Sequence, residues 1–272
     1  MWIGSPLRGA LRLLTYFLFT LILLPVQLIA LLFNIVPVYR WLPVYYHWAV
    51  CLILGIRVRV HGKQSTVTPT LFVCNHVSYL DIEVLGGMVP GSFVAKAEVA
   101  AWPFFGWLAK AQRTIFVERV SGSASKSRDE MLKRLDTGDN LMLFPEGTSS
   151  DGTRVLPFRS ALFAVAQLRR DDRPIVVQPV AVAYTRLDGI PLGRYWRPLF
   201  AWFGDLDLVP HLWQMVCLGE TEALVTYFEP VDIDRLGDRK KLAEYCHRQV
   251  SMGVQAANSG RLELLPALAK AA

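Results

Sequence analysis

Hydrophobic and polar positions follow one pattern at the start of the chain and another in the rest. Residues 13–39 are 27 consecutive uncharged positions. As one helix they would extend roughly 40 Å, more than the ~30 Å hydrocarbon core of a bilayer. A second uncharged run, residues 41–56, opens with tryptophan and tyrosine side chains, which prefer the headgroup level of a membrane. The pattern predicts a two-helix membrane-anchoring segment over residues 1–60, broken at Pro37 and Pro43.

Two membrane arrangements fit this segment. Either the first helix spans the bilayer, or both helices form a hairpin in one leaflet, with Pro25 and Gln27 at its irregular middle. Basic residues flank both ends, which favours the hairpin because all of them could then meet anionic headgroups. Two buried core helices of a soluble protein are disfavoured, since so long an uncharged run is excessive for a core helix. Both membrane arrangements predict a location at the inner membrane, with the remaining chain on its cytoplasmic side.

The rest of the chain predicts an α/β domain over residues 61–272, with a mixed, mostly parallel sheet flanked by helices. Short β-branched and aromatic runs indicate strands at 56–60, 71–74, 114–118, 141–144, 175–182 and 223–229. Helical patterns lie between them, at 79–88, 98–111, 124–136, 160–169 and 238–256. Residues 186–215 have few periodic features and are predicted to form a surface loop near the membrane.

Composition and charge narrow the classes of function. The sequence is 53% hydrophobic and 19% charged, which excludes a disordered chain. Six basic residues and no acidic ones precede Asp81, so 29 − 6 = 23 bases face 23 acids after residue 80, and the net charge of +6 belongs to the apolar N-terminal third. This placement predicts an anionic membrane surface as a partner and no nucleic acid. The four cysteines are far apart, which predicts neither a disulfide nor a metal site.

The strongest chemical signal is CNHVSYLD at residues 74–81. An apolar strand ends there and places Asn75 and His76 at its carboxyl end, where open α/β sheets hold their sites. With a turn between them, Asp81 can fold back on His76, fix its tautomer and make the second ring nitrogen a general base. Ser78 is predicted to cap the following helix. The alternative is purely structural, because S-x-x-D is also a capping box and a histidine can simply be satisfied at a strand end.

Other strand ends carry turn residues or bases. In LFPEGTSSDG, the residues Glu146, Gly147 and Thr148 form a polar turn whose backbone N–H groups can converge on an anion, while the carboxylate orients a cation or hydroxyl. Arg119 ends IFVER and, like Lys96 in FVAKAEV, can bind a phosphate. An ordinary strand-to-loop turn and surface salt bridges explain the same residues equally well.

Taken together, the motifs NHxSxxD, FVER, FPEGTS and VQPV occur in an order that resembles the glycerolipid acyltransferase family, which contains the 1-acylglycerol-3-phosphate acyltransferases. The resemblance covers roughly residues 56–185. It implies that His76 is the general base, that Asp81 is its partner, and that Pro179 in the fourth motif is linked to the acyl donor. It implies acceptor binding by residues of the second and third motifs, namely Glu118, Arg119, Glu146, Gly147 and Thr148.

Two departures from the family pattern bear on the acceptor. Glu118 stands where members often have Asp, and PFRSALF has Ser160 and Ala161 where members commonly show a Gly-containing turn. With GDLDLVPHLW at residues 204–213, this second feature is similar to a branch of bacterial enzymes that acylate lyso-ornithine lipid.

The resemblance implies a membrane-bound O-acyltransferase that moves an acyl group from acyl-CoA or acyl carrier protein to the free hydroxyl of a lysophospholipid. The first reading of the acceptor is 1-acylglycerol-3-phosphate, and the alternative is lyso-ornithine lipid. No metal and no further cofactor are expected. A covalent route through Ser78 is disfavoured, because no GxSxG nucleophile elbow is present. A lipid hydrolase that uses the same His76 and Asp81, and a non-catalytic lipid-binding protein, are the readings from other classes.

Overall fold

The computed structural model describes residues 4–117, 124–170 and 172–265. Its helices are α1 Pro6–Leu32, α2 Val36–Leu54, α3 Leu80–Gly86, α4 Phe105–Ala111, α5 Ala124–Asp136, α6 Leu208–Cys217, α7 Ile233–Leu236 and α8 Arg239–Ser259. Its strands are β1 Ile56–His61, β2 Thr70–Cys74, β3 Gly91–Lys96, β4 Ile115–Val117, β5 Asn140–Leu143, β6 Arg169–Arg170, β7 Arg173–Pro174, β8 Val176–Leu187, β9 Ile190–Pro191 and β10 Thr221–Tyr227. Short 3₁₀ segments lie at Ala97–Ala101, Ser160–Gln167, Arg197–Leu199 and Leu262–Leu264.

One mixed sheet organises the domain, in the order β1-β10-β8-β2-β5-β3-β4, with β9 paired to β8. The five strands from β8 to β4 run parallel, and β10 is antiparallel to β8. At the far edge, β1 runs parallel to β10. Because β2, β5, β3 and β4 run parallel, their carboxyl ends meet at one edge of the sheet, and the loops after them share that edge. The predicted mixed, mostly parallel sheet is confirmed.

Helices cover both faces of this sheet, which is why its central strand is apolar without alternation. All five residues of β2 are buried. Leu71 and Val73 pack in a cluster with residues of α5 and α8, whereas Phe72 and Cys74 pack in a second cluster with residues of α2, α3 and α6. A strand between two helical layers has no solvent face, so period-two patterning is absent from it.

The N-terminal segment forms two antiparallel helices. Thr20 Oγ1 lies 2.7 Å from Tyr46 Oη, and Gln27 Nε2 donates to the Tyr39 carbonyl at 3.2 Å. As the residue number increases along α1, the number of its contact residue in α2 decreases, which shows that the helices are antiparallel. Only 22% of the most apolar stretch of α1 is buried, and the length and composition of α1 would allow it to cross a membrane. Among the described residues, α2 does not meet the same criterion. Two helices are therefore present, but a span is indicated for one of them.

The break between these helices differs from the prediction. The chain turns at residues 33–35, where Asn34 has a φ of +53°. Pro37 lies in the first turn of α2, where a missing N–H costs nothing, while Pro25 and Pro43 both lie inside helices. The prediction that Pro37 and Pro43 break the segment was therefore wrong.

Several basic residues of this segment bind protein groups instead of solvent. Arg12 donates to the carbonyls of Val216 and Leu218 at 3.2 and 2.7 Å, so it caps the carboxyl end of α6. Arg40 lies 2.9 Å from Asp139, and Arg59 lies 2.9 Å from a carboxylate of β10. Arg12 and Arg40 therefore fasten the apolar helices to the α/β domain, whereas Arg59 pairs within the sheet.

Four element predictions were wrong. The helix predicted over residues 160–169 is a 3₁₀ segment over Ser160–Gln167, followed by β6. Residues 91–96 form β3, although the sequence analysis found no strand there. The helix predicted over residues 98–111 is interrupted at Pro103 and consists of a 3₁₀ turn followed by α4. The stretch 186–215 contains most of α6, which packs against α1. Tertiary contacts, which a local pattern does not record, decide these segments.

Candidate active site

The loop after β2 starts with a side chain that prolongs the sheet. Asn75 is buried, its Nδ2 donates to the Val182 carbonyl at 2.9 Å, and its Oδ1 accepts from the Val182 amide at 2.8 Å. The amide side chain thus takes the place of a backbone pair with β8 just where β2 ends. This arrangement fixes the point at which the chain leaves the sheet and exposes His76.

His76 and Asp81 form a hydrogen-bonded pair. His76 Nδ1 lies 2.9 Å from Asp81 Oδ2, and their side chains are 21% and 0% exposed. An ionised carboxylate only accepts hydrogen bonds, so Nδ1 carries the proton and Nε2 of the neutral ring is left as a base. The predicted approach of these two side chains is therefore present, with the turn between them that it requires.

The Asp81 carboxylate accepts three further hydrogen bonds. Its Oδ2 also accepts from the amides of Val77 and Ser78, at 2.7 and 2.9 Å, and its Oδ1 accepts from the Tyr184 hydroxyl at 2.9 Å. Four donors allow a carboxylate to stay buried without a cationic partner. Burial raises the pKa of Tyr184 well above its ordinary value, so the phenol stays protonated and remains a donor.

The capping role predicted for Ser78 was wrong. The residue that precedes α3 is Tyr79, and it forms no side-chain cap. Ser78 itself is fully buried, and its Oγ has no partner among the described residues. Asp81 caps the turn instead, by accepting from the two amides before it. A buried hydroxyl without a neighbouring base also lacks the arrangement of a nucleophile.

Glu146 holds the backbone of the loop that carries His76. Its Oε1 accepts from the His76 amide at 2.8 Å, and its Oε2 accepts from the Leu156 amide at 2.9 Å. The Ser150 amide also donates to the His76 carbonyl at 2.8 Å. Burial raises the pKa of Glu146 to about 8, although the two amides favour its charged form. This carboxyl group joins the loops after β2 and β5, and a role for Glu146 in acceptor binding stays a prediction.

An aromatic stack leads from the imidazole into the protein. The His76 ring lies 4.3 Å from that of Phe144, and Phe144 lies 6.1 Å from Phe93, with both pairs stacked. Phe93 belongs to the wall of an apolar cavity of about 160 Å³ between α1, α2, α3, α4 and β3. An apolar cavity two rings away from His76 has the kind of lining that suits a hydrocarbon chain.

The other residues predicted for the site have three different placements. Some lie at the sheet edge that carries His76, one lies within the sheet, and two lie outside the described residues. Lys96 ends β3, so it lies at the edge that carries His76. Thr148 is exposed in the turn after β5, and Pro179 is buried within β8 opposite Val73. Glu118 and Arg119 lie outside the described residues. Acceptor or donor binding by these residues stays a prediction.

Gly147 has a left-handed backbone and a close neighbour. Its φ is +68°, and a Cβ built at this position would lie 3.2 Å from Arg159 Cζ. The exposed Arg159 forms no ion pair with a described residue, and its own amide donates to the Pro145 carbonyl at 2.9 Å. The turn therefore presents a guanidinium beside the loop that holds His76.

Sequence reasoning did not single out Arg159, which lies against Gly147, or Tyr184, which donates to Asp81. The sequence signal for Arg159 is its position directly before Ser160, where the chain departs from the family pattern. Tyr184 is 103 residues from Asp81 and carries no local signal at all. Within the described ranges, no group of three or more His, Cys, Asp or Glu side chains is arranged to hold a metal ion.

Comparisons with known proteins assign the chain to a family. The family described as Acyltransferase matches residues 57–183. A lyso-ornithine lipid O-acyltransferase of Rhizobium meliloti is 40% identical over 92% of this chain and 85% of its own length. A 1-acyl-sn-glycerol-3-phosphate acyltransferase of Neisseria gonorrhoeae is 32% identical over 70% of this chain and 71% of its own.

A solved structure shares the fold. The crystal structure of the 1-acyl-sn-glycerophosphate (LPA) acyltransferase PlsC from Thermotoga maritima has a TM-score of 0.63 at 20% identity, covering 92% of this chain and 95% of that one. Together with the identity and coverage of the first relative, the match assigns the family. This chain is a member of the acyltransferase family.

Proposed function

We propose that this protein is a membrane-bound O-acyltransferase in which His76 and Asp81 transfer a fatty acyl group to the free hydroxyl of lyso-ornithine lipid. The observation that carries the reaction is the hydrogen bond of 2.9 Å between His76 Nδ1 and the buried Asp81 Oδ2. It leaves Nε2 as the base for a hydroxyl proton. The name and the longer, more identical alignment of the Rhizobium meliloti relative support this acceptor over 1-acylglycerol-3-phosphate.

The reaction is a single displacement at a thioester. The acceptor hydroxyl gives its proton to His76 Nε2 as its oxygen attacks the thioester carbonyl. The new C–O bond forms, the C–S bond breaks, and the thiolate of acyl-CoA or acyl carrier protein leaves and takes up the proton from the imidazolium. A positioned base of this kind contributes about 10²–10⁴ in rate. Asp81 keeps the imidazole in the required tautomer and stabilises its charged form.

Arg159 supports the binding of an anionic acceptor group. Its guanidinium lies against Gly147, in the turn whose Glu146 holds the loop of His76. An exposed arginine without an ion-pair partner among the described residues can bind a carboxylate or phosphate through two parallel hydrogen bonds. Ornithine carries a carboxylate and 1-acylglycerol-3-phosphate a phosphate, so Arg159 suits either acceptor, and the test must distinguish them.

The exposed apolar face of α1 supports a location at a membrane. Large apolar side chains along it are more than half exposed, including Leu7 at 70%, Leu21 at 70% and Leu32 at 78%. Exposed surface of this kind is covered by lipid in a membrane-bound protein. We place the protein at the cytoplasmic face of the inner membrane, where acyl-CoA and acyl carrier protein are available.

The test is acyl transfer by the purified protein. Labelled acyl-CoA is supplied in separate reactions with lyso-ornithine lipid and with lysophosphatidic acid, and acyl carrier protein thioester replaces acyl-CoA in a parallel pair. We expect the diacylated ornithine lipid as the main labelled product. Labelled phosphatidic acid alone would establish the other acceptor, and free fatty acid without an acylated lipid would establish a hydrolase.

A further inference from the structure

A cluster of charged side chains lies at the end of the sheet opposite His76. Asp139 directly precedes β5 and Arg113 lies shortly before β4, so both are at the amino ends of parallel strands. Arg40 of α2 lies 2.9 Å from Asp139 Oδ1, and Arg113 pairs with Asp139 Oδ2. His76 follows the carboxyl end of β2. Because β2 and β5 pair in parallel, the length of a strand separates the cluster from the loop of His76.

The carboxylate at the centre of this cluster holds two guanidinium groups side by side. Asp139 is 1% exposed, and the Arg113 side chain is 9% exposed. The Arg113 guanidinium also lies 4.7 Å from the centre of the Tyr39 ring, within the range of a cation–π contact. Arg40 Nη2 donates to the Thr137 carbonyl at 3.0 Å. These contacts fix the positions of both arginines before any ligand binds.

Positive charge exceeds negative charge in the cluster. Arg134, in the last turn of α5, is a third cation, and the carboxylates that act on it are Asp139 and Glu130. Burial and repulsion by Arg113 lower the pKa of Arg134. In addition, Arg40 Nε is buried, and no described residue accepts a hydrogen bond from it. A buried donor without an acceptor is unfavourable, so the cluster lacks an oxygen-bearing anion.

The surroundings of the cluster are typical of a membrane surface. Directly before α2, Leu32 is 78% exposed and Phe33 is 69% exposed. Trp41 and Tyr45, which follow Arg40 on α2, are 47% and 63% exposed. Tryptophan and tyrosine side chains of membrane proteins prefer the headgroup level, which is also the level of the lipid phosphates. This arrangement favours a phosphate carried by a lipid over a phosphate in solution.

We propose that Arg40, Arg113 and Arg134 bind the phosphodiester of an anionic membrane lipid, at a site separate from that of His76. The planar guanidinium group suits phosphate because it donates two parallel hydrogen bonds to its oxygens. The phosphate gives Arg40 Nε an acceptor and supplies the negative charge that the cluster lacks. The apolar turn before α2 contacts the acyl chains of the same lipid. The proposal is independent of the proposed function, because this lipid is bound and not acylated.

The first experiment measures lipid binding without catalysis. The purified full-length protein in uncharged detergent micelles is titrated with fluorescently labelled phosphatidylglycerol or, separately, with phosphatidylcholine of the same acyl chains. Both lipids carry a phosphodiester, but only phosphatidylglycerol has a net negative charge. We expect phosphatidylglycerol to bind about tenfold more tightly, the contribution of one hydrogen bond between charged groups. Equal affinities for the two lipids would overturn the proposal.

Two variants on α5 assign the preference to the cluster. Arg134→Gln removes the third cation and leaves the ion pairs of Asp139 with Arg40 and Arg113 in place, so the protein should fold. We expect its affinity for phosphatidylglycerol to fall about fivefold. Lys133→Gln is the matched control, because it removes the same charge from the adjacent, exposed position and should leave the affinity unchanged. Equal losses in both variants would indicate general attraction to basic residues and would contradict the site.

Arg40→Lys tests the geometry of the site separately from its charge. Lysine keeps the positive charge but lacks Nε–H and the planar group, so the affinity for phosphatidylglycerol should still fall. An unchanged affinity would exclude Arg40 as a ligand of the phosphate. The thermal unfolding midpoint of each variant checks its folding. If a variant does not fold, the comparison of the two lipids on the wild type still decides whether the protein selects an anionic lipid.

Inorganic phosphate distinguishes a lipid from a phosphate in solution. It is titrated against labelled phosphatidylglycerol at constant ionic strength. A lipid site predicts that inorganic phosphate binds much more weakly, because the apolar turn contributes only when the phosphate carries acyl chains. Displacement of the lipid by an equal concentration of inorganic phosphate would identify free phosphate as the ligand and overturn the lipid assignment.

Discussion

The Tyr184 hydroxyl donates to Asp81 Oδ1 at 2.9 Å, on the side of the carboxylate opposite His76. Tyr184 is fixed in β8, while Asp81 is in the first turn of α3. The pair therefore joins the sheet to the loop that carries His76. It holds the carboxylate in the one orientation that places Oδ2 against the imidazole.

Tyr184→Phe removes this hydrogen bond and leaves the ring in place. We expect kcat to fall about tenfold and the acceptor KM to stay within twofold, because one hydrogen bond to a charged group contributes roughly 1.5 kcal/mol or more. Steady-state kinetics measure the split between kcat and KM. Tyr195→Phe is the control, since that ring is 85% exposed and should leave both constants unchanged. A KM effect without a kcat effect would show that Tyr184 does not position the base.

His76→Ala should lower the rate of acyl transfer by at least about 10²-fold, since the variant lacks the base that accepts the hydroxyl proton. Binding of the acceptor lipid, measured by a sedimentation assay with vesicles, should persist. His61→Ala is a matched control, because His61 ends β1, beyond β10 and β8 from the strand that carries His76. Turnover retained in the His76 variant would exclude it as the base.

Asp81→Asn tests whether the carboxylate orients the base or only caps a turn. The amide cannot accept from all four donors, so the imidazole loses its fixed tautomer, and we expect kcat to fall about 10³–10⁴-fold. A capping role alone predicts mainly a lower unfolding midpoint. Kinetics and thermal unfolding are therefore measured on the same preparation, and near-wild-type kcat with lowered stability would support the capping reading.

Glu146→Gln should change how stability depends on pH. The folded-state pKa is raised from its ordinary 4.5 to about 8, so below pH 4.5 both folded and unfolded states hold the proton. Between those values the unfolded chain releases it while the folded protein retains it, so this contribution to stability is lost as the pH rises towards 8. The free energy of unfolding of the wild type relative to that of the glutamine variant should therefore decrease between pH 4.5 and about 8. Denaturant unfolding at a series of pH values measures this difference. A constant difference would contradict the raised pKa.

Gly147→Ala tests the contact between the third motif and Arg159. The φ of +68° should cost about 1–2 kcal/mol with any Cβ, and the new methyl group would also displace the guanidinium. Gly260→Ala is a matched control, because Gly260 has a φ of +69° with nothing within 4 Å of its built Cβ. We expect similar destabilisation in both variants and a raised acceptor KM for Gly147→Ala alone. Equal acceptor KM values for the two variants would show that Arg159 does not contribute to acceptor binding.

Local pattern was sufficient for the elements that are long or strongly apolar. The uncharged run predicted the N-terminal helices, and short β-branched runs predicted six of the strands that form the sheet. It failed where a neighbour decides the conformation. Residues 91–96 form a strand because β5 and β4 flank them, and the turn between α1 and α2 lies at Asn34 although proline suggested otherwise.

The candidate site divides in the same way. His76 and Asp81 are five residues apart, so their pairing needs only a turn, and the motif alone predicts it. Tyr184 depends on a contact with Asp81 over 103 residues, and no spacing in the sequence indicates it. The sequence by itself therefore determined the pairing of His76 with Asp81, the family and the apolar N-terminal helices. Only the tertiary structure decided which groups hold that pair in place, because hydrogen bonds between distant segments exist only once the sheet and helices have packed.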